Sequence, residues 1–539
     1  MGECASRNLT SGNANVIMGR YAGGAITTGT DNILLGCYVA KNSISLCGNI
    51  LMGMETGACL CSGTHNIIMG QYAGRGSSTI ANNTASFNIA FGQESLKVIS
   101  SGHHNVAIGK DTGMSLTNGG CNVMIGCGAG RCMTTEDHNV LIGTNAGAKL
   151  EGGTWGNNIA IGQESLEANV TGFWNVSIGC AALRCSTGST NVALGRRAGY
   201  HTTSGNRNFF VGNYTAYCNI TGDDNIYLGA YSSYCMCSGN HNTVVGQGAL
   251  LGSPTPANNT GSCNVALGYN AGKCVTSGSF NDIIGYTAGF NISTGGCNVL
   301  IGNKAGCAVT TSFDNVMIGC GAGMGNSTGC ENIFIGKCTG AAAAGSVRNI
   351  IIGDMAGQQG TFTGKYNTIV GASSGRDTTS GEKNVILGNS SAICLTTGNR
   401  NIWVGDTLSW GNGAITGYDN IVMGYCSLFC LNSGFNNIAL GRCAGHGVTS
   451  GCNNVLIGLC AGRAVTTSGC HVAIGQYALL AEDTSGGGTV AIGPSALCSH
   501  NGGNGNTAVG RDAGKAVVSG GENTFMGWSA GSGVTGSSN

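Results

Sequence analysis

One hydrophobic signature recurs along the chain: Asn-Val-Ala-Ile-Gly at 105–109, Asn-Val-Met-Ile-Gly at 122–126, Asn-Val-Leu-Ile-Gly at 139–143. Counted by its closing (anchor) glycine, it occurs 30 times between Gly19 and Gly527, most often 17 residues apart. Asparagine stands four positions before the anchor in 28 of the 30 units, with His471 and Thr489 in the other two. Three positions after the anchor comes Ala, Ser or Thr, again in 28 of 30. An aliphatic residue commonly follows at the seventh position (Ile26, Leu116, Val275, Val309, Val465), then Thr or Ser and a further glycine. Each unit reads as a short strand, a tight turn, a second short strand and another turn.

Seventeen residues are too few for two helices and a turn, and the β-branched content of the signature favours strands. The pattern predicts an all-β fold: one long β-solenoid, or β-roll, of about 30 rungs with a 17-residue repeat, continuous over residues 1–539. At about 4.8 Å per rung it would form a rod on the order of 145 Å. The anchor glycines, among them Gly109, Gly126, Gly143, Gly302, Gly319 and Gly336, supply corner backbone. Asn105, Asn122, Asn139, Asn298, Asn315 and Asn332 belong to a column expected to stack as a structural amide ladder. Five-residue insertions precede Gly92 and Gly268, so segments near 75–87 and 251–263 must protrude; both contain Ala-Asn-Asn-Thr. With Trp155, Trp174 and Trp410 they are the places to look for ligand contacts, against the plainer reading of tolerated surface loops.

Both faces of the recurring strand are apolar. The residue just before the anchor is Ile, Leu, Val, Met or Phe in all 30 units, a uniform column that reads as the solenoid interior. The residue before that should point the other way, yet it is apolar in 29 of 30, Ser177 being the exception. Its size varies from alanine to Phe210, Phe334, Trp403 and Phe525. An outward apolar stripe of this length reads as an oligomer seam, most simply three rods around an axis. The alternative is a flattened coil with this in/out assignment reversed.

Composition narrows the field. Glycine supplies 98 of 539 residues and charged residues only 9%, against about 25% in ordinary soluble domains. Basic and acidic residues balance at 24 each, so there is no electrostatic footprint for nucleic acid. No apolar run is long enough for a membrane-spanning helix, and the first residues lack the pattern of a secretory signal peptide. Walker and zinc-protease patterns are missing and short glycine motifs are expected by chance in this composition, so the chain reads as a non-enzyme without a cofactor. His65, His104, His138 and His241 share the position before the ladder asparagine and read as solvent-facing turn residues.

The 28 cysteines fall into columns without paired zinc-knuckle spacing. Cys218/Cys235, Cys426/Cys443/Cys460 and Cys452/Cys470 are vertical neighbours within disulfide reach. Reduced thiols, bonds along the column and interchain bonds all remain open on the sequence.

The Asn-Val-Ala-Ile-Gly core with a following Ala-Gly resembles the head repeats of trimeric autotransporter adhesins (YadA-like), and still more the repetitive shafts of phage and viral tail fibres. The resemblance implies a β-roll, trimeric assembly and an attachment role. The expected function is therefore a rigid fibre on a virion surface, or an extracellular filament, that contacts a receptor or glycan. Its partners would be copies of itself, as a homotrimer or a head-to-tail filament. The head-to-tail expectation comes from a chain that begins and stops in mid-repeat. An ice-binding solenoid, built on the Thr27-Thr28, Thr134-Thr135, Thr310-Thr311 and Thr466-Thr467 columns, is the alternative.

Overall fold

The computed structural model describes residues 2–151, 156–407, 413–482 and 487–535; Trp155 and Trp410 lie outside the described residues. The chain is an all-β solenoid with a repeat of about 17 residues, built from three-residue strands running from Val16–Met18 to Thr524–Met526. It divides into two compact units, Met1–Ser277 and Gly278–Asn539. In the first unit successive strands pair in parallel, as in Val106↔Val123, Ala107↔Met124 and Ile108↔Ile125. The second repeats the arrangement, for example Val316↔Ile333, Met317↔Phe334 and Ile318↔Ile335. The insertions leave this register intact, with Ile67 opposite Ile89 and Thr243 opposite Val265. Each insertion carries one 3-10 turn, Ile80–Asn82 or Pro256–Asn258.

Burial reverses the in/out assignment made from the sequence. In every strand after the first, the middle residue is buried and its two flanking residues are half-buried or exposed. Phe210, Phe334 and Trp403 are fully buried, and Phe525 is only 6% exposed. These four side chains fill the core of their own coil and are not an intermolecular seam. The physical reason is the period of two: the residues on either side of the middle one share a face, and that face is the outer one. Size variation in the middle column is absorbed inside the coil. Where the middle residue is Ala90, Ser177 or Ala473, the same unit places Leu96, Leu183 or Leu479 four positions after its anchor, whereas at Ala107, Ala193 and Ala266 it places Gly113, Gly199 and Gly272. Where it is Leu51 or Phe334, that position is Gly57 or Gly340.

Candidate functional site

The asparagine column is a hydrogen-bonded device within the core of each unit. Asn122 Nδ2 donates to Asn105 Oδ1 at 3.0 Å, and Asn139 Nδ2 to Asn122 Oδ1 at 3.1 Å. In the second unit Asn315 Nδ2 donates to Asn298 Oδ1 at 3.0 Å, and Asn332 Nδ2 to Asn315 Oδ1 at 3.1 Å. The same oxygens also accept main-chain bonds, Asn122 N donating to Asn105 Oδ1 at 3.1 Å. The second amide hydrogen crosses the coil, from Asn122 Nδ2 to Glu136 O at 2.8 Å. An in-register amide stack signals the first of these bonds; the other two need the coil's cross-section and were not foreseen. Anchors Gly109, Gly126, Gly143, Gly302, Gly319 and Gly336 have φ between 130° and 137°. A Cβ at Gly109 would also stand 2.7 Å from the carbonyl oxygen of Gly126, so both conformation and spacing demand glycine.

The outer strand face carries two apolar columns. Val16 and Met18 are 50% and 57% exposed, and Ile33, Ile226, Ile350 and Met423 are exposed as well. Val123 with Ile125 and Val140 with Ile142 are half-buried and stand in register with one another. The outward face is thus a two-residue-wide apolar ribbon running through each unit, broken only at places such as Asp282.

A second surface lies on the turns of the first unit. Tyr200, Tyr217 and Tyr234 stack at ring separations of 5.2 and 5.0 Å. Beside them Tyr214 and Tyr231 stack at 5.5 Å, and Tyr214 meets Tyr217 at 5.7 Å. Arg197 lies 5.6 Å from both the Tyr200 and Tyr214 rings, and Arg184 donates to Glu167 at 2.6 Å. Burial pushes the Tyr217 and Tyr234 hydroxyls above their ordinary pKa. Tyrosines two and five positions after consecutive anchors were the available signal for this array.

The protruding segment of the 251–263 insertion walls a neighbouring cavity of about 530 Å³, lined in part by Tyr234, Leu251 and Pro254. Asn259 pins the segment, its Nδ2 donating to Cys235 O at 2.9 Å and Ser253 O at 2.8 Å. Asn83 holds the 75–87 insertion in the same way, through Cys59 O and Ser77 O, both at 2.8 Å. Trp174 is exposed and packs edge-on against Phe173.

No family model matches the chain, and no curated protein matches it.

All 28 cysteines are unbridged, including Cys218, Cys235, Cys426, Cys443, Cys460, Cys452 and Cys470. Among the described residues no cluster of three or more His, Cys, Asp or Glu is set to hold a metal ion, and no helix is long and apolar enough to cross a membrane. His65 and His104 are exposed and sandwich Phe87 at 5.0 and 5.1 Å; His138 and His241 are exposed at equivalent turns. Among the described residues an ionisable pair lies in the core, where His500 Nε2 is 3.3 Å from Glu482 Oε2. Glu482 and His500 occupy the seventh-position column that Val465 and Val517 fill in adjacent rungs, close to where His471 and Thr489 interrupt the ladder.

Proposed function

We propose that the protein is a structural fibre component that self-associates along its outer strand face and serves attachment from a virion or cell surface. The observation that carries this reading is the apolar ribbon. A monomer ordinarily exposes contiguous apolar patches of a few hundred Å² at most, and this ribbon recurs on rung after rung of each unit. A second copy with the same rung spacing matches it along its length, Val and Ile columns against Val and Ile columns. Three copies around an axis is the arrangement that the resemblance to adhesin heads and tail-fibre shafts implies. A receptor or glycan would meet the tyrosine array or the insertions, which belong to the turns rather than to the strands. The ice-binding reading draws less support, because Thr27 and Thr310 hydroxyls donate to the main-chain carbonyls of Ile44 and Ser327 at 3.4 and 3.0 Å. Replacing Val123, Ile125, Val140 and Ile142 by lysine or serine tests the proposal. Particles reduced to monomers with unchanged circular dichroism support it; unchanged particle mass rejects it.

A further inference from the structure

Cys218 and Cys235 stand six positions after consecutive anchors, Gly212 and Gly229. Parallel main-chain bonds hold both in column: Cys218 N donates to Tyr234 O at 2.9 Å and Cys235 N to Leu251 O at 2.8 Å. Rungs about 4.8 Å apart fall inside the Cα separation of roughly 4.4–6.8 Å that a disulfide spans. What sets this pair apart from a mere vertical coincidence is its setting. Both side chains line the cavity of about 530 Å³ beneath the insertion, with Cys274, Tyr234, Leu251 and Pro254 around them. A volume of that size admits a small molecule, so a buried thiol here can still be reached by a reagent.

We infer that Cys218 and Cys235 form a thiol–disulfide exchange site that admits small-molecule aliphatic disulfides through this cavity and closes to a bond between rungs.

The two thiols share one column and both line the cavity beneath the insertion. The neighbouring Cys218 favours ionisation of Cys235 against the opposing effect of burial, and Cys235 together with burial opposes ionisation of Cys218. In the exchange sequence Cys235 is the attacking thiolate and Cys218 the resolving thiol; the reverse order would put the adduct on Cys218 in the Cys235→Ser variant. In the first step Cys235 S⁻ attacks R–S–S–R, forming Cys235–S–S–R and releasing RS⁻. In the second, Cys218 gives up its proton and attacks the Cys235 sulfur, releasing a second RS⁻. Two protein thiols are oxidised to one disulfide, and one small disulfide is reduced to two thiols. The bond would tie together the two rungs next to the insertion, so the surrounding redox balance sets their local stability.

The test uses the full, reduced chain exposed to limiting glutathione disulfide, quenched by alkylation and read by peptide mass spectrometry. The expected product is a Cys218–Cys235 disulfide formed about tenfold faster than any Cys443–Cys460 bond. Cys218→Ser should accumulate glutathione on Cys235, and Cys235→Ser should give neither adduct nor bond at this site, both variants keeping the parent circular dichroism. The inference is overturned if wild-type protein forms no Cys218–Cys235 bond, or forms it no faster than Cys443–Cys460. It is equally overturned if Cys218→Ser carries no more glutathione at Cys235 than at the exposed Cys121.

Discussion

Gly340 makes room for Phe334: a Cβ on Gly340 would lie 3.1 Å from the Phe334 ring atoms Cδ2 and Cε2. The two positions exchange volume in several rungs, as Ala90 with Leu96 shows in the opposite sense. Phe334→Ala should cost about 3–5 kcal/mol, and Gly340→Leu alone about 1–3 kcal/mol through overpacking. The double variant recreates the Ala/Leu pairing and should be more stable than Phe334→Ala. Denaturant unfolding of the three variants checks this; a double variant no better than Phe334→Ala contradicts it.

The ladder should be costly to break at one rung. Asn122→Ala removes the donor to Glu136 O and the acceptor of Asn139 N and Nδ2, all in the core, while Asn105 Oδ1 keeps its main-chain donor. The expected loss is about 1–3 kcal/mol for groups left unpaired. Hydrogen exchange should quicken at the rungs next to Asn122 and stay slow several rungs away, because each rung meets only its neighbours.

Acid should weaken the second unit at its interior histidine. Burial holds the His500 imidazole below its ordinary value of 6.5, so that it stays neutral in the fold. Its Nε2 lies 3.3 Å from Glu482 Oε2. The unfolded chain then takes up the proton first as pH falls. Stability is full above pH 6.5 and declines as pH drops from there toward the folded value. His446, also depressed by burial, contributes with the same sign in this unit, and His201 does so in the first unit. Thermal melts from neutral to mildly acidic pH should show the decline. Glu482→Leu with His500→Val, which restores the aliphatic column, should flatten it in part.

The strands, the anchor glycines and the asparagine ladder were legible in the sequence because each admits few alternatives. A residue at φ near 135° with a carbonyl against its α-carbon, as at Gly319, has to be glycine. The facing of the strand was not legible. Val316, Met317 and Ile318 are all apolar, and hydrophobicity does not say which one points inward. Volume was a partial signal: Phe334 pairs with Gly340 and Ala90 with Leu96, but Ala107 pairs with Gly113. The tyrosine array was visible as spacing, but its ring-to-ring contacts depend on how tightly the turn winds.

The aromatic surface predicts a separation of functions. Tyr217→Ser with Tyr231→Ser should abolish binding to a cognate glycan or receptor-bearing cell while leaving particle mass unchanged. A glycan array and cell-binding assay on assembled particles check it; binding retained by the variant places the contact elsewhere.

The central claim is that the outward Val and Ile columns are covered by further copies of the chain. Sedimentation velocity of the purified protein across a concentration series tests this most directly. Self-association predicts a trimer or larger assembly that persists on dilution, with no appreciable monomer at micromolar concentration. A single monomeric boundary at every concentration would contradict it.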